Sequence, residues 1–276
     1  MNRLSTTKAG TLSVPDRIAI PYIEGDGIGR EVTPAMQAIV DAAVGRAYQG
    51  QRSIEWVPLL AGEQAVTAGH EPLPEETLSQ LAAHRIGIKG PLGTPVGSGM
   101  RSLNVAIRQQ LDLYSCIRPV TWYGSASPLK RPQTVDVVIF RENTEDVYAG
   151  IEYDALSPMA VSLIEVLRPH VAAERLPDES AIGIKIMGQT RSKRHVRKAL
   201  RYAMANRRRR VTIMHKGNIM KATEGAFLCW AYEVADEPEF AGRFRRDDEA
   251  DDGRLVIDDR IADNMFQVLL LHPEQY

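Results

Sequence analysis

Three arginines stand where side chains of an α/β protein often meet a ligand. Arg108 lies on a predicted helix, and Arg118 and Arg141 each lie near the end of a predicted strand. A guanidinium group binds a carboxylate through two parallel hydrogen bonds, so three converging arginines would suit a di- or tricarboxylic acid. Ser102 and Asn104, at the start of the Arg108 helix, would add a hydroxyl, an amide and free helix N–H groups toward an anion. The alternative is that each arginine makes an ordinary surface ion pair, which contributes little to stability.

Three further side chains could transfer a proton or bind a metal. Tyr148 follows the acidic segment 142–146, and a phenol close to cations can act as a general acid, although a lone tyrosine more often packs in a core. Lys216 ends the predicted strand 211–216, a placement typical of α/β active sites. Asp263, at the start of the last predicted helix, could bind Mg²⁺ or Mn²⁺ if other carboxylates joined it, or could compensate the helix dipole.

Two other motifs favour structural interpretations. The segment 25–29, GDGIG, lacks the last glycine of a dinucleotide-binding fingerprint, so a tight strand-to-helix turn is the more typical role. The arginine run 207–210 lacks interleaved aromatic residues, which favours a solvated loop over a nucleic-acid patch. His215, Cys116 and Cys229 have no metal-ligand spacing.

Composition excludes several classes of protein. The 276 residues include 34 Lys and Arg against 35 Asp and Glu, so there is no bulk attraction to nucleic acid or to an anionic membrane. The N-terminus has no apolar stretch typical of a signal peptide, and no run approaches the ~20 apolar residues that span a bilayer. Two cysteines fit a reducing cytoplasm. We therefore expect a cytoplasmic protein with no nucleic-acid or membrane partner.

Hydrophobic periodicity alternates between strands and helices and predicts an α/β layer architecture with parallel pairing. The first region contains predicted strands at 17–23, 54–59 and 85–89, and predicted helices at 30–48, from Pro74, and at 102–111. In the second region, strands are predicted at 114–120, 135–141, 181–187 and 211–216, and helices at 190–206, 223–235 and 261–271. The pattern weakens between 148 and 181.

Four long segments together resemble one family. They read IPYIEGDGIGREVTPAM, IKGPLGTPVGSGMRSLNVAIRQQLDLYSCIRPV, DVVIFRENTEDVYAGIEY and TIMHKGNIMKATEGAF. The chain is similar from about residue 17 onward to bacterial NADP-dependent isocitrate dehydrogenases of the isocitrate/isopropylmalate dehydrogenase family. This resemblance implies an α/β fold that is not a Rossmann fold. It further implies a large domain at 1–113, a small domain at 114–145 and 189–276, and a clasp at 146–188 that interlocks in a homodimer.

The resemblance also assigns roles to individual positions. Positions that bind the carboxylates of isocitrate are matched by Ser102, Asn104, Arg108, Arg118 and Arg141. Tyr148 matches the acid that protonates the enolate after carbon dioxide leaves. Lys216 matches a lysine that reaches into the partner subunit's site, and Asp263 a metal ligand also donated across the dimer. Positions lining the nicotinamide side of the cofactor are matched by Lys89, Thr94 and Asn218, whereas Gly93 replaces the usual small hydroxyl residue.

The implied reaction is oxidative decarboxylation of isocitrate to 2-oxoglutarate, a step of the tricarboxylic acid cycle, with NADP and Mg²⁺ or Mn²⁺ as cofactors. In enteric members the serine matching Ser102 is phosphorylated, which implies a kinase and phosphatase as partners. Homoisocitrate or isopropylmalate dehydrogenase is an alternative, although Ser102 and Asn104 argue against isopropylmalate. A non-catalytic dimerising relative is another. The match ends at Tyr276, before the family's remaining metal aspartates and adenosine-binding segment, so we expect a truncated form that keeps the substrate-binding residues.

Overall fold

A computed structural model describes residues 2–7, 11–93, 102–124 and 126–276. The chain divides into two units, Met1–Leu113 and Tyr114–Tyr276, and the predicted clasp at 146–188 falls within the second. None of the helices in the described ranges combines the length and the apolar content that crossing a membrane requires.

The first unit is built on a short parallel sheet. Its elements are β1 (Ser5–Thr6), β2 (Leu12–Ser13), β3 (Arg17–Ile23), α1 (Gly29–Ala47), β4 (Ser53–Pro58), α2 (Glu63–Thr67), α3 (Glu75–His84), β5 (Ile88–Lys89) and α4 (Leu103–Gln110). The strands β4, β3 and β5 pair in that order and run parallel, while β1 and β2 form a separate antiparallel pair. A core cluster of Ile23, Ala61, Leu92 and Ile107 packs the end of β3 against α4.

The second unit combines two antiparallel ribbons with a parallel sheet. Its elements are β6 (Ser115–Thr121), β7 (Asp136–Glu142), β8 (Asp146–Tyr153), α5 (Pro158–Leu167), β9 (Ile182–Ile186), α6 (Gln189–Ala205), β10 (Arg210–His215), α7 (Ala226–Ala235), β11 (Phe244–Arg246), β12 (Leu255–Ile261) and α8 (Ala262–Leu271). A π-helical turn at Lys221–Gly225 leads into α7. The ribbons are β6–β7 and β8–β9, and the parallel sheet has the order β10-β12-β11.

The larger core lies beneath this parallel sheet. Residues of α6, α7, β10, β12 and the segment after α7 form it, with Val196, Leu200, Ile213, Ala231, Val234, Phe240 and Ile257 among the most buried. Helix α6 contributes through residues three to four apart, because such residues share one helix face. The basic residues of α6 lie on the other faces, where Arg197 and Arg201 form ion pairs with Glu237 and Glu239.

Most predicted elements are present within one or two residues of their predicted bounds, with two differences. The strand predicted at 85–89 is limited to Ile88–Lys89, because Arg85 has φ 58° and ends α3 in the left-handed region. Parallel pairing holds for both three-stranded sheets but not for the ribbons. The run 207–210 leads from α6 into β10 as a loop in which Arg207 and Arg209 are exposed, while Arg208 pairs with Asp136 and Arg210 pairs with Asp247 and Asp258.

Candidate active site

The β6–β7 ribbon places two of the predicted arginines on one face. In the antiparallel register Cys116 is opposite Arg141 and Arg118 is opposite Ile139. Directly opposed residues project to the same side, and residues two apart on a strand do so too, so Arg118 and Arg141 are diagonal neighbours on that side. Arg118 is exposed and its Nε donates to Cys116 Sγ at 3.3 Å.

Arg141 contacts the predicted acid Tyr148 directly. Its Nη1 donates to Tyr148 Oη at 3.1 Å, and its guanidinium carbon lies 5.0 Å from the centre of the phenol ring. The Nη2 group donates to Asn143 Oδ1 at 3.2 Å, while the buried Nε has no hydrogen-bond partner among the described residues. The guanidinium therefore places a positive charge at the phenol oxygen.

A cavity of about 620 Å³ in the second unit brings several of these residues together. Arg141, Tyr148 and Lys216 all line it. Other polar groups on its wall include Glu142, Glu145, Asp146, Ser192, His195, Arg208, Arg210, His215 and Glu224. Much of the remaining lining is apolar and comes from β7, α6, β10 and α8. The apolar part of the wall strengthens the electrostatic interactions of the charged groups beside it.

Lys216 follows β10 directly, and neighbouring side chains fix its backbone. Its N–H donates to Glu224 Oε2 at 3.0 Å, and the N–H of Gly217 donates to His215 Nδ1 at 3.0 Å. At its other end the Lys216 ammonium forms an ion pair with Asp263, in the first turn of α8. Asn218 is exposed in the turn that begins at Gly217. Lys216, directly after β10, and Asp263, shortly after β12, are both singled out by the sequence, and the fold brings them into contact.

Hydrogen bonds at both ring nitrogens hold His215, the residue before Lys216, in one orientation. Because Nδ1 accepts from Gly217, Nε2 carries the proton and donates to Asp259 Oδ2 at 3.0 Å. The other oxygen of Asp259 accepts from Tyr232 Oη at 2.7 Å. Burial, together with the hydrogen bond and charge of Asp259, raises the pKa of Tyr232, so this phenol stays protonated as a donor.

The described residues do not by themselves fit a divalent cation. No group of three His, Cys, Asp or Glu side chains within the described ranges is arranged to hold a metal ion. Asp263 offers one carboxylate, which is paired with Lys216. One carboxylate falls short of the six or more oxygen ligands that Mg²⁺ and similar ions require, so these residues would need further ligands to complete a metal site.

In the first unit the glycine turn serves a loop rather than a dinucleotide. Asp26 Oδ1 accepts from the N–H of Glu63 at 2.9 Å, and Oδ2 accepts from the N–H of Gly93 at 2.7 Å. Gly25 has φ +95°, and a Cβ at this position would lie 2.4 Å from the carbonyl oxygen of Pro91. The turn therefore positions the segment after β5, as its incomplete fingerprint predicts.

The remaining predicted ligands of the first unit lie around that segment. Ser102 is the N-cap of α4, and Asn104 Nδ2 donates to the carbonyl of Leu92 at 3.1 Å. Desolvation and the positive charge of Arg108 lower the pKa of Lys89, against the opposing charge of Asp26. Lys89 and Arg108 are thus close enough to interact, as two cations that bind one anion must be. Thr94 lies outside the described residues.

Several polar residues around the cavity were not anticipated from the sequence. They are His195, buried on α6; Lys185, in the middle of β9; and Glu224, in the π-helical turn. Lys185 belongs to no motif, and the pairing of β8 with β9 brings it close to Asp146. Glu224 reaches Lys185 from the π-helical turn, and its sequence signal is TEGAF, which lies within the motif TIMHKGNIMKATEGAF.

Comparison with known proteins shows the family. A model of the isocitrate/isopropylmalate dehydrogenase family matches residues 19–276. The isocitrate dehydrogenase (NADP) of Aquifex aeolicus is 51% identical over 270 residues, covering 96% of this chain and 63% of that protein. Isocitrate dehydrogenase (NADP) 1 of Colwellia maris is 52% identical over 279 residues, covering 97% and 67%.

A solved structure agrees with these relatives. The crystal structure of isocitrate dehydrogenase from Methylococcus capsulatus superposes with a TM-score of 0.69 and 34% identity, over 94% of this chain and 64% of that one. The chain therefore belongs to the isocitrate/isopropylmalate dehydrogenase family, and the α/β fold predicted from the resemblance is confirmed. It spans about two thirds of the length of the curated relatives it matches.

Proposed function

We propose that this chain carries substrate-binding and proton-transfer residues for the oxidative decarboxylation of isocitrate to 2-oxoglutarate and carbon dioxide, with NADP as hydride acceptor. The relatives from A. aeolicus and C. maris are named as NADP-dependent isocitrate dehydrogenases. The observation that carries the proposal is the contact between Arg141 and Tyr148, with Arg118 on the same face of the ribbon.

Arginines bind the substrate without reacting. In this proposal Ser102, Asn104, Arg108, Arg118 and Arg141 take the carboxylates of isocitrate. Tyr148 and Asn143 each accept from one N–H of Arg141, which leaves the guanidinium with further donors for a carboxylate. Bidentate binding fixes the reacting carbon atoms relative to the acid and the base.

One proton transfer precedes the loss of carbon dioxide and a second one follows it. The C2 hydroxyl proton passes to a Lys216–Asp263 pair, which the partner subunit contributes, as the C2 hydride leaves and the ketone forms. The bond between C3 and its carboxylate then breaks, its electron pair stays on the substrate as an enolate, and carbon dioxide departs. Tyr148 gives its proton to C3, and Arg141 stabilises the phenolate that remains.

The cofactor assignments belong to this proposal. NADP, when bound, supplies a nicotinamide ring that accepts the hydride. Lys89, Asn218 and Thr94 line its nicotinamide side; Lys89 and Asn218 are both exposed and thus accessible to it. Asp263 provides one ligand of Mg²⁺ or Mn²⁺.

The partners and compartment are also proposed. A homodimer accounts for the exposure of Phe266 and Leu270, four residues apart on α8, since an apolar helix stripe in water favours burial against a second copy. In such a dimer Lys216 and Asp263 would serve the partner's site, and the segment 146–188 would be the clasp between a large domain at 1–113 and a small domain at 114–145 and 189–276. A kinase and phosphatase would act on Ser102. Both cysteines are free, which suits the cytoplasm.

Isocitrate binding and turnover test the proposal. The purified chain is titrated with isocitrate by calorimetry and assayed for NADP⁺ reduction with Mn²⁺ at the nicotinamide absorbance. Homoisocitrate and isopropylmalate are the competing substrates, and Lys216→Met is the variant that should bind isocitrate yet lose turnover. Binding of isocitrate in preference to both competitors supports the proposal. A folded chain that neither binds isocitrate nor reduces NADP⁺ would overturn it.

A further inference from the structure

Lys185 bridges two carboxylates that belong to different parts of the cavity wall. Its ammonium group donates to Asp146 Oδ1 and, at 2.7 Å, to Glu224 Oε1. The three side chains are largely removed from water, with 21% of Lys185, 33% of Asp146 and 13% of Glu224 exposed. Partial burial alone would lower the pKa of Lys185, but the hydrogen bonds and charges of Asp146 and Glu224 outweigh it and raise that pKa. Lys185 is therefore charged at neutral pH.

Each carboxylate of the bridge in turn fixes the backbone beside a proposed catalytic residue. Asp146 opens β8 with φ 60°, two residues before Tyr148, and its Oδ1 accepts from the N–H of Val147 at 2.8 Å. Glu224 accepts the N–H of Lys216 at 3.0 Å through the oxygen that Lys185 does not use. A continuous chain of contacts thus runs from the Tyr148 strand through one ammonium group to the Lys216 turn.

We propose that Lys185 is a positioning residue that holds both the Lys216 turn and the Tyr148 strand in place for the decarboxylation reaction, each for the active site that it serves in the dimer. The inference rests on the proposed function for its catalytic meaning, but its structural part does not. Without the Lys185 cation, Asp146 and Glu224 face each other as like charges in a poorly solvated site. Glu224 then turns away or takes up a proton, and the N–H of Lys216 loses a charged acceptor.

Hydrogen exchange at the Lys216 amide tests the structural part without any need for activity. In Lys185→Met the peptide containing Lys216 should exchange about tenfold faster, the change expected when a hydrogen bond to a charged acceptor is lost. Lys185→Arg, which keeps the charge and the donors, should restore slow exchange. Lys193→Met is the matched control, because Lys193 is 20% exposed and forms a 2.7 Å ion pair with Glu233 away from the cavity.

Unchanged exchange at Lys216 in Lys185→Met would overturn the proposal, as would equal acceleration in Lys193→Met. Should Lys185→Met fail to fold, Glu224→Gln makes the same comparison, because it keeps the size of the side chain and removes the charge that Lys185 binds. A faster exchange confined to the Lys216 region supports the proposal with this variant too.

Kinetics of the same variants test the catalytic part. Lys185→Met should lower kcat about tenfold while KM for isocitrate changes less than about twofold, since the arginines that bind substrate are untouched. Lys185→Arg should recover most of kcat. A rise in KM with unchanged kcat would overturn the positioning role. If wild-type chain shows the expected exchange pattern but no isocitrate turnover, the structural coupling stands and the proposed function fails by itself.

Discussion

Arg141 contacts Tyr148 at two places, with Nη1 donating to the phenol oxygen at 3.1 Å and the guanidinium carbon 5.0 Å from the ring centre. Arg141 lines the cavity, and its buried Nε has no hydrogen-bond partner among the described residues. In the proposed function this one side chain has two roles, binding an anion and supporting a proton donor. Arg118, its diagonal neighbour, donates to Cys116 instead and serves as the comparison.

We expect Arg141→Gln to lower kcat for isocitrate about 100-fold and to raise KM, because the phenolate loses its cation and the substrate loses a ligand. Arg118→Gln should raise KM with a much smaller change in kcat. Steady-state kinetics with isocitrate and NADP⁺ measure both effects. Equal kcat in wild type and Arg141→Gln would contradict the assignment of Tyr148 as the acid.

Ser102→Asp should abolish isocitrate binding while the fold is retained. The new carboxylate would stand where a substrate carboxylate binds, and like charges repel strongly in a poorly solvated pocket. Asp is also a favourable N-cap, so α4 should begin at the same place. Calorimetry with isocitrate measures binding, and Ser102→Asn is the neutral control, because asparagine has the size of aspartate without its charge. Undiminished binding in Ser102→Asp would remove the basis for regulation at this residue.

His195 should make stability fall at mildly acidic pH. Desolvation lowers its pKa to about 4 from 6.5, against a weaker opposing effect of Glu142 and a hydrogen bond to the backbone of Phe140, and with a further lowering by Lys198. Above the pKa that His195 has in the unfolded chain, the imidazole is neutral in both the folded and the unfolded state, so it causes no loss of stability. As the pH falls through that pKa, the unfolded chain takes up a proton that the folded chain refuses, so stability decreases until the pH reaches the folded pKa.

The decrease in the free energy of unfolding should be about 2 kcal/mol between about pH 7 and about pH 5. Urea denaturation at both pH values measures it. His195→Leu should remove this component, because a leucine fits an apolar cavity wall and does not titrate. His70→Gln, at an exposed histidine, is the control that should leave the pH dependence unchanged. An identical pH dependence in wild type and His195→Leu would show that His195 is protonated in the folded chain.

Gly25→Ala should destabilise the first unit by about 2–4 kcal/mol, because the new Cβ meets the Pro91 carbonyl oxygen and the residue must hold a positive φ. Gly45→Ala is a matched glycine in α1 whose Cβ would meet nothing within 4 Å. It should be neutral or stabilising by about 0.5–1 kcal/mol, since alanine favours a helix. Chemical denaturation distinguishes the two, and equal stability of both variants would refute the close approach at Gly25.

Local patterns predicted the elements whose burial follows one simple period. The strand at Arg17–Ile23 and the helix at Gly29–Ala47 are examples, because apolar residues recur there with the spacing of their structure. Strand β12 was missed because Asp258, Asp259 and Arg260 interrupt its apolar run. Those charges are tolerated in a central strand only because Arg210 and His215 on β10 pair with the carboxylates. That compensation comes from a strand more than forty residues earlier, which no local window contains.

The residues of the candidate site also fall into two groups, those that the sequence predicted and those that it did not. Residue types and motif spacing singled out Arg141, Tyr148 and Lys216, which the fold brings to one cavity. Lys185 and His195 could not be predicted as site residues from the sequence, because a lysine in a short strand and a histidine on a basic helix match no motif. Their roles depend on the residues that pack against them in the fold. The bulge between Asp146 and Ile151 also breaks the alternation of β8, which hides that strand from a period-two search.

The two hydrogen bonds of Asp26 have a consequence for the order of folding. They join it to Glu63 and Gly93, residues 37 and 67 positions later in the chain. Contacts of such long sequence separation require costly loop closure and form slowly. Gly93, which follows β5, should therefore reach its final position late, after β3 and β4 have paired. In a pulse-labelling experiment the Gly93 amide should gain protection after the amides of β3.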